Sequence, residues 1–172
     1  MESLKRNGRC AIILPNGPLF GGGIAAKVKE KLLRECNLHT IIRLPESVFS
    51  PYTAIATNIL FLNKGEGTKE IWYYQLKVRN GLKAYNKTNP VTFEDFSDVI
   101  AWWNNRVESQ NAWRVNVNDI KQLNLDIKNP NEIKERSDLT PHQLIEDIIK
   151  EEEKTLDLLE QIKELILKEI PK

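Results

Sequence analysis

Apolar residues cluster or alternate in five stretches that predict strands, and recur at helical spacing in three more. The first stretch, residues 9–14, reads Arg9-Cys10-Ala11-Ile12-Ile13-Leu14 and is closed by Pro15-Asn16-Gly17-Pro18. A continuous apolar run ended by turn residues predicts a strand covered on both faces, as in a parallel sheet. The cluster Gly21-Gly22-Gly23 then opens a helical stretch with Ile24, Ala25, Val28, Leu32 and Cys36 on one side. A second strand is predicted over residues 39–44, stopping at Pro45, and a third over 55–62. Strand, helix, strand is a right-handed crossover that places the first two strands parallel in one sheet. The loop 45–54 is too short for another crossover, so the third strand is expected to return antiparallel to the second.

Residues 71–78 predict a fourth strand, rich in aromatic side chains. Asn80-Gly81 favours a tight hairpin turn, with residues 82–85 as the returning arm. Thr92 has the character of a helix N-cap, with Glu94 and Asp95 in the first turn. Phe93, Phe96, Val99, Ile100, Trp103 and Val107 would share one face of that helix. Residues 104–131 are polar and Asn-rich and read mostly as loop. Thr140-Pro141-His142-Gln143 is a capping-box pattern. Behind it Ile145, Ile148, Ile149, Leu156, Leu159, Ile162, Ile166 and Ile170 recur at spacings of three and four, which predicts a long amphipathic helix. The organisation expected is a partial α/β domain over 1–90, a helix and irregular connection over 91–140, and the amphipathic helix over 141–172.

Charge and cysteine content add bounds. The formal net charge is +1, but residues 141–172 alone carry −4, leaving +5 on the rest. The front part could therefore tolerate a phosphate backbone that the tail would repel. Cys10 and Cys36 have no zinc or redox spacing and read as reduced core residues. No signal-peptide pattern opens the sequence, and no apolar stretch approaches the roughly 20 residues needed to span a bilayer. A cytoplasmic protein with no membrane contact is expected.

Candidate chemistry is sparse. Gly21, Gly23 and Ala26 satisfy G-x-G-x-x-A. They lie well past the strand end, however, and the next strand ends in Leu44-Pro45 rather than an acidic residue. A loop whose glycines permit close backbone approach is the plainer reading. The loop Leu44-Pro45-Glu46-Ser47-Val48-Phe49-Ser50-Pro51-Tyr52 displays Phe49 and Tyr52 beyond a strand's carboxyl end, where ligands of open parallel sheets lie. Phe49 could stack on a flat ligand or simply pack. Trp102-Trp103 reads as a stacking pair or as core, with Trp103 on the core face. His39 and His142 are far apart in sequence, and no metal cluster, nucleophile with base, or supported carboxylate pair emerges.

The stretch Gly8-Arg9-Cys10-Ala11-Ile12-Ile13-Leu14-Pro15-Asn16-Gly17-Pro18-Leu19-Phe20 resembles the modification subunit of type I restriction–modification systems, an adenine-specific DNA methyltransferase. The resemblance continues through residues 36–45, Val48-Phe49, Thr57-Asn58-Ile59-Leu60-Phe61-Leu62, Leu123-Asn124-Leu125-Asp126-Ile127-Lys128-Asn129-Pro130 and the acidic terminal helix. It implies the C-terminal part of a Rossmann-like seven-stranded sheet, two parallel strands plus an antiparallel last strand, followed by an extra hairpin and C-terminal helices. It implies methyl transfer from S-adenosylmethionine to the exocyclic amine of an adenine flipped out of duplex DNA. Phe49 then matches the position of a target-base stacking residue, with Tyr52 as its neighbour. Specificity and restriction subunits are the implied partners.

The family's glycine motif for S-adenosylmethionine and its Asn-Pro-Pro-Phe/Tyr motif are absent. The chain is therefore expected to be a fragment with no catalytic or cofactor-binding residue of its own, inactive alone. Its first strand would have an exposed edge open to self-association. Two other readings stand beside this one. The chain could be an interaction module docking the specificity subunit through Ile145, Ile149, Leu156, Leu159, Ile162 and Ile166. It could also be a small nucleotide-binding protein using Gly21 and Gly23.

Overall fold

The computed structural model describes residues 2–79, 81–132 and scattered positions between 145 and 163. It divides into two units, 1–132 and 133–172. The first unit is built on a five-stranded sheet of β1 (Arg9–Pro15), β2 (Cys36–Arg43), β3 (Thr57–Lys64), β4 (Glu70–Gln75) and β5 (Ala112–Asn116), in the order β1-β3-β2-β4-β5.

β3 runs antiparallel to both β1 and β2, so those two point the same way with β3 between them. The parallel sense of the first two strands and the antiparallel return of the third agree with the sequence pattern. β2 and β4 pair in parallel, and β5 pairs antiparallel to β4. The fold class holds with one rearrangement: the antiparallel partner of β4 is not residues 82–85 but β5, within the stretch read as loop. Gly81 does take a turn conformation, with φ of +85°, but the chain then wanders through irregular backbone to Thr92. The aromatic pair Tyr73–Trp113, stacked at 5.3 Å, joins β4 to β5. Cross-strand aromatics of this kind favour one pairing over a nearer one.

Alternation along the strands divides the core between two faces. On one lie Cys36, Leu38, Ile41, Leu60, Leu62, Ile71, Tyr73 and Trp113, covered by Leu33 of α2 (Ile24–Glu35) and by Leu125. On the other lie Ile42, Leu44, Tyr74 and Leu76, covered by Val99 and Trp102 of α3 (Ser97–Asn104). A register shift between Leu38 and Thr40 lets both Leu38 and Ile41 reach the first face.

β1 lies at a sheet edge, as expected of the first strand, but departs from the expectation of a strand covered on both faces, since Ile12 and Ile13 are exposed. In α2 the apolar face is also displaced. Ile24 and Val28 are exposed, while Leu33 and Lys29 are buried. The Lys29 ammonium reaches the Leu19 carbonyl at 2.6 Å, so its aliphatic stem can occupy a core position. In α3 the buried indole is Trp102, whose Nε1 donates to Val107 O at 2.9 Å. Trp103 is half-buried, and Phe93 and Val107 are exposed.

The turn before β4 is tied to two elements at once. Thr68 N donates to Leu33 O at the end of α2 (2.7 Å). The Thr68 hydroxyl accepts from Leu38 N (2.9 Å) and donates to Cys36 O (2.7 Å) at the start of β2. Across the first face, Arg43 pairs with Asp126 at 2.6 Å and also donates to Ile127 O, and Tyr73 Oη donates to Leu125 O at 3.1 Å.

In the second unit the described positions are helical. Ile145, Ile148, Ile149, Leu156 and Leu159 are exposed. The predicted cap at Thr140-Pro141-His142-Gln143, and Ile162, Ile166 and Ile170, lie outside the described residues. Among the described residues no helix is long and apolar enough to cross a membrane.

Candidate functional site

Because β1, β2 and β4 run the same way, their carboxyl ends lie at one end of the sheet, where ligands of such sheets gather. Three connections converge there: residues 16–23 after β1, 45–56 after β2, and 76–92 after β4.

The middle connection carries the aromatic candidates. Pro45 leads into a 3-10 turn, Glu46–Phe49, and Tyr52 N and Thr53 N both donate to Phe49 O, at 2.9 and 3.2 Å. The Ser50–Pro51 peptide is cis. Phe49 is half-buried and packs against the cluster of Ile42, Leu44, Tyr74 and Leu76. Tyr52 is 90% exposed, so its ring faces solvent. The two residues therefore share a loop but not an environment.

The first connection is held to the base of this loop. Asn16 N donates to Ala56 O at 3.0 Å, and Asn58, fully buried, donates from Nδ2 to Asn16 Oδ1 at 2.5 Å. The glycines fit the close-approach reading. A Cβ on Gly21 would lie 3.0 Å from Gly17 O and 3.3 Å from Ala25 Cβ. Gly23 has φ of +59°, a region that favours glycine. The tight strand-to-helix turn of a dinucleotide site is missing, since α1 (Asn16–Phe20) intervenes between β1 and α2.

The third connection was not legible as part of a site. Its anchor is Tyr85, fully buried, whose N donates to Ser47 Oγ at 2.9 Å and whose Oη accepts from Arg79 N at 3.3 Å. Arg79 grips both oxygens of Asp95 at 2.8 Å. Asp95 also closes the capping box with Thr92, accepting from Thr92 N at 2.6 Å. The Arg79 guanidinium holds the Asp95 carboxyl well below its ordinary range, with the Thr92 bonds adding to that effect. Thr92 and Asp95 stood out in the sequence as cap and first-turn acid; nothing in the pattern pointed to Arg79. Between this connection and α3 is a polar crevice of about 360 Å³, lined among others by Gln75, Lys77, Glu94 and Asp98.

The remaining candidates stand apart. His39 packs edge-on to Trp103 at 5.9 Å, and burial, then the charge of Arg106, lower its pKa. Arg106 sits over the rings of both Trp103 and Trp102, at 4.6 and 5.6 Å, so the Trp pair is already occupied by a cation of the chain itself. His142 lies outside the described residues. Among the described residues no group of three or more His, Cys, Asp or Glu could hold a metal ion.

This arrangement has close relatives. A sequence profile of the N-6 DNA Methylase family matches residues 1–139, and the chain belongs to that family. It is 50% identical over 139 residues to the type I restriction enzyme EcoEI methylase subunit of Escherichia coli, covering 76% of this chain and 28% of that subunit. Among solved structures, a modification subunit assigned to a type I restriction enzyme of Vibrio vulnificus YJ016 superposes with a TM-score of 0.72. The identity there is 45%, over 77% of this chain and 31% of that one. A chain solved for the assembly and conformational transition of the type I R-M system gives a TM-score of 0.70 at 31% identity, over 97% of this chain and 37% of that one. The protein thus spans about a third or less of the length of the relatives it matches.

The Asp95 linkage has a defined sign. Its folded pKa lies below the ordinary 3.8, so its contribution is present above that value and is lost as pH falls below it. Asp95→Asn should therefore lower urea resistance at pH 7, and the gap to the unsubstituted chain should narrow steadily below pH 3.8.

Proposed function

We propose that this chain forms the trailing part of the catalytic sheet of a type I modification subunit and supplies its target-base loop. The parent would transfer a methyl group from S-adenosylmethionine to the exocyclic amine of adenine in duplex DNA. What supports this most is the placement of the Phe49–Tyr52 loop at the shared carboxyl end of β1, β2 and β4 in a chain of the N-6 DNA methylase family. In this reading Phe49, braced by the core behind it, and Tyr52, free in solvent, flank a base drawn out of the helix.

The residues present do not fit the cofactor. Gly21–Gly23 are separated from β1 by α1, and β2 ends at Arg43, which offers no carboxylate to a ribose. We therefore assign S-adenosylmethionine binding and the chemistry to the portion of the relatives that this chain does not span, and take the chain as inactive alone. Calorimetry of this chain with S-adenosylmethionine should give no binding heat; a saturable isotherm would overturn the assignment.

The base-stacking role has its own test, in the assembled parent enzyme. Stacking is worth about 1–3 kcal/mol per base, or roughly 5- to 150-fold. Phe49→Ala and Tyr52→Ala should each lower methyl transfer within that range and dim the signal of 2-aminopurine placed at the target position. Unchanged rates in both variants would remove the loop from the site.

A second reading has a specific observation behind it. The side chains of Ile145, Ile149, Leu156 and Leu159 are all exposed, an apolar stripe suited to a helical partner. We propose the specificity subunit as that partner, with Ile162 and Ile166 extending the stripe, and the restriction subunit as a further member of the complex. Removing residues 141–172 should abolish retention of this chain on immobilised specificity subunit; retention by the shortened chain would reject the stripe as the contact.

A further inference from the structure

We infer that the connection 76–92 is a phosphate-binding element for duplex DNA, with Lys77, Lys83 and Lys87 as its contacts. The inference rests on the methylase reading above and adds the element that would hold the duplex beside the base-stacking loop.

Four features carry it. The first is charge. From Leu76 to Thr92 the chain has Lys77, Arg79, Lys83 and Lys87 and no Asp or Glu. The whole protein is nearly neutral at +1, so this is a local concentration. The second is availability. Arg79 is consumed by its two bonds to Asp95, whose side chain is 3% exposed. The three lysines are exposed and make no ion pair among the described residues.

The third feature is position. The segment leaves the carboxyl end of β4, and Tyr85 N donates to Ser47 Oγ within the 3-10 turn that ends in Phe49. Lys83 and Lys87 stand two residues on either side of that buried tyrosine, which places their backbone beside the aromatic loop. A base extruded onto Phe49 and Tyr52 brings its flanking phosphates with it, and cations beside the loop would meet them.

The fourth feature is order without regular structure. Tyr85 Oη accepts from Arg79 N (3.3 Å), and Asn86 Oδ1 accepts from Thr88 N and Asn89 N (2.9 and 2.8 Å). A segment held this way loses less conformational freedom on binding than a free loop would. Glu94, Asp95 and Asp98 line the crevice that Lys77 also borders. They would repel a phosphate inside it and leave Lys83 and Lys87, which are not part of its lining, with the outer rim at Lys77, as the approach.

The alternative is that the lysines only keep the surface soluble. A second basic set separates the two, because Lys5, Arg6 and Arg9 are exposed at the opposite end of β1. The experiment is fluorescence anisotropy of this chain with a labelled duplex over a series of salt concentrations. The unsubstituted chain should bind with an affinity that falls as salt rises. The variant Lys77→Gln/Lys83→Gln/Lys87→Gln should bind more weakly, with its log–log salt slope reduced by about 2 to 3, one counterion release per lost phosphate contact. The variant Lys5→Gln/Arg6→Gln/Arg9→Gln should keep the original slope. Equal losses in the two variants, an unchanged slope in the first, or no salt-dependent binding by the unsubstituted chain would each overturn the inference. The readout needs no cofactor and no methyl transfer. A failure here thus leaves the methylase reading standing on the Phe49 and Tyr52 rates, and a failure there leaves the salt slopes intact.

Discussion

The antiparallel passage of β3 between β1 and β2 is the constraint on which the rest of the first unit depends. Both of its neighbours run against it, so β1 and β2 point in the same direction although they do not pair with each other. β4 inherits that direction through its parallel pairing with β2. Three separate connections are thereby delivered to one end of the sheet.

Directions and the pairing of β3 with β2 were legible in the sequence, and the other neighbours were not. The apolar run of residues 9–14, the helical stretch behind the glycines and the short 45–54 loop were enough to give two parallel strands and a reversed third. They could not give β3 its place between β1 and β2, because hydrophobic period reports which residues are covered and not by whom. β1 shows the same limit in its faces, though not in its expected edge position: the uninterrupted run of Cys10, Ala11, Ile12, Ile13 and Leu14 reads as buried on both faces, whereas Ile12 and Ile13 are exposed. The error at residues 82–85 has a different cause. Asn80-Gly81 is a local turn signal, but the competing strand brings Trp113 onto Tyr73, a contact spanning 40 residues that no local rule weighs.

The candidate site divides along similar lines. Phe49 and Tyr52 could be singled out because a proline-stiffened loop after an inner strand has a short list of uses. The Arg79–Asp95–Thr92 lock could be half seen, since a cap and an acid three residues on are a local motif while the guanidinium comes from elsewhere. Lys29 was invisible: one lysine among several on α2 gives no sign that its stem fills the core and its ammonium ends on the Leu19 carbonyl.

Thr68 acts like a ratchet pawl between helix and sheet. Its hydroxyl stands in for the first rung that β4 would otherwise give β2, two residues before β4 begins, and its amide is simultaneously fixed to the end of α2. Sliding β4 by the two residues that preserve its inward and outward faces would carry that hydroxyl about 7 Å out of place. Both Leu38 N and Cys36 O would then be stranded in a dry environment. The alignment of the parallel pair is thus backed by a side chain outside either strand, in addition to its own ladder.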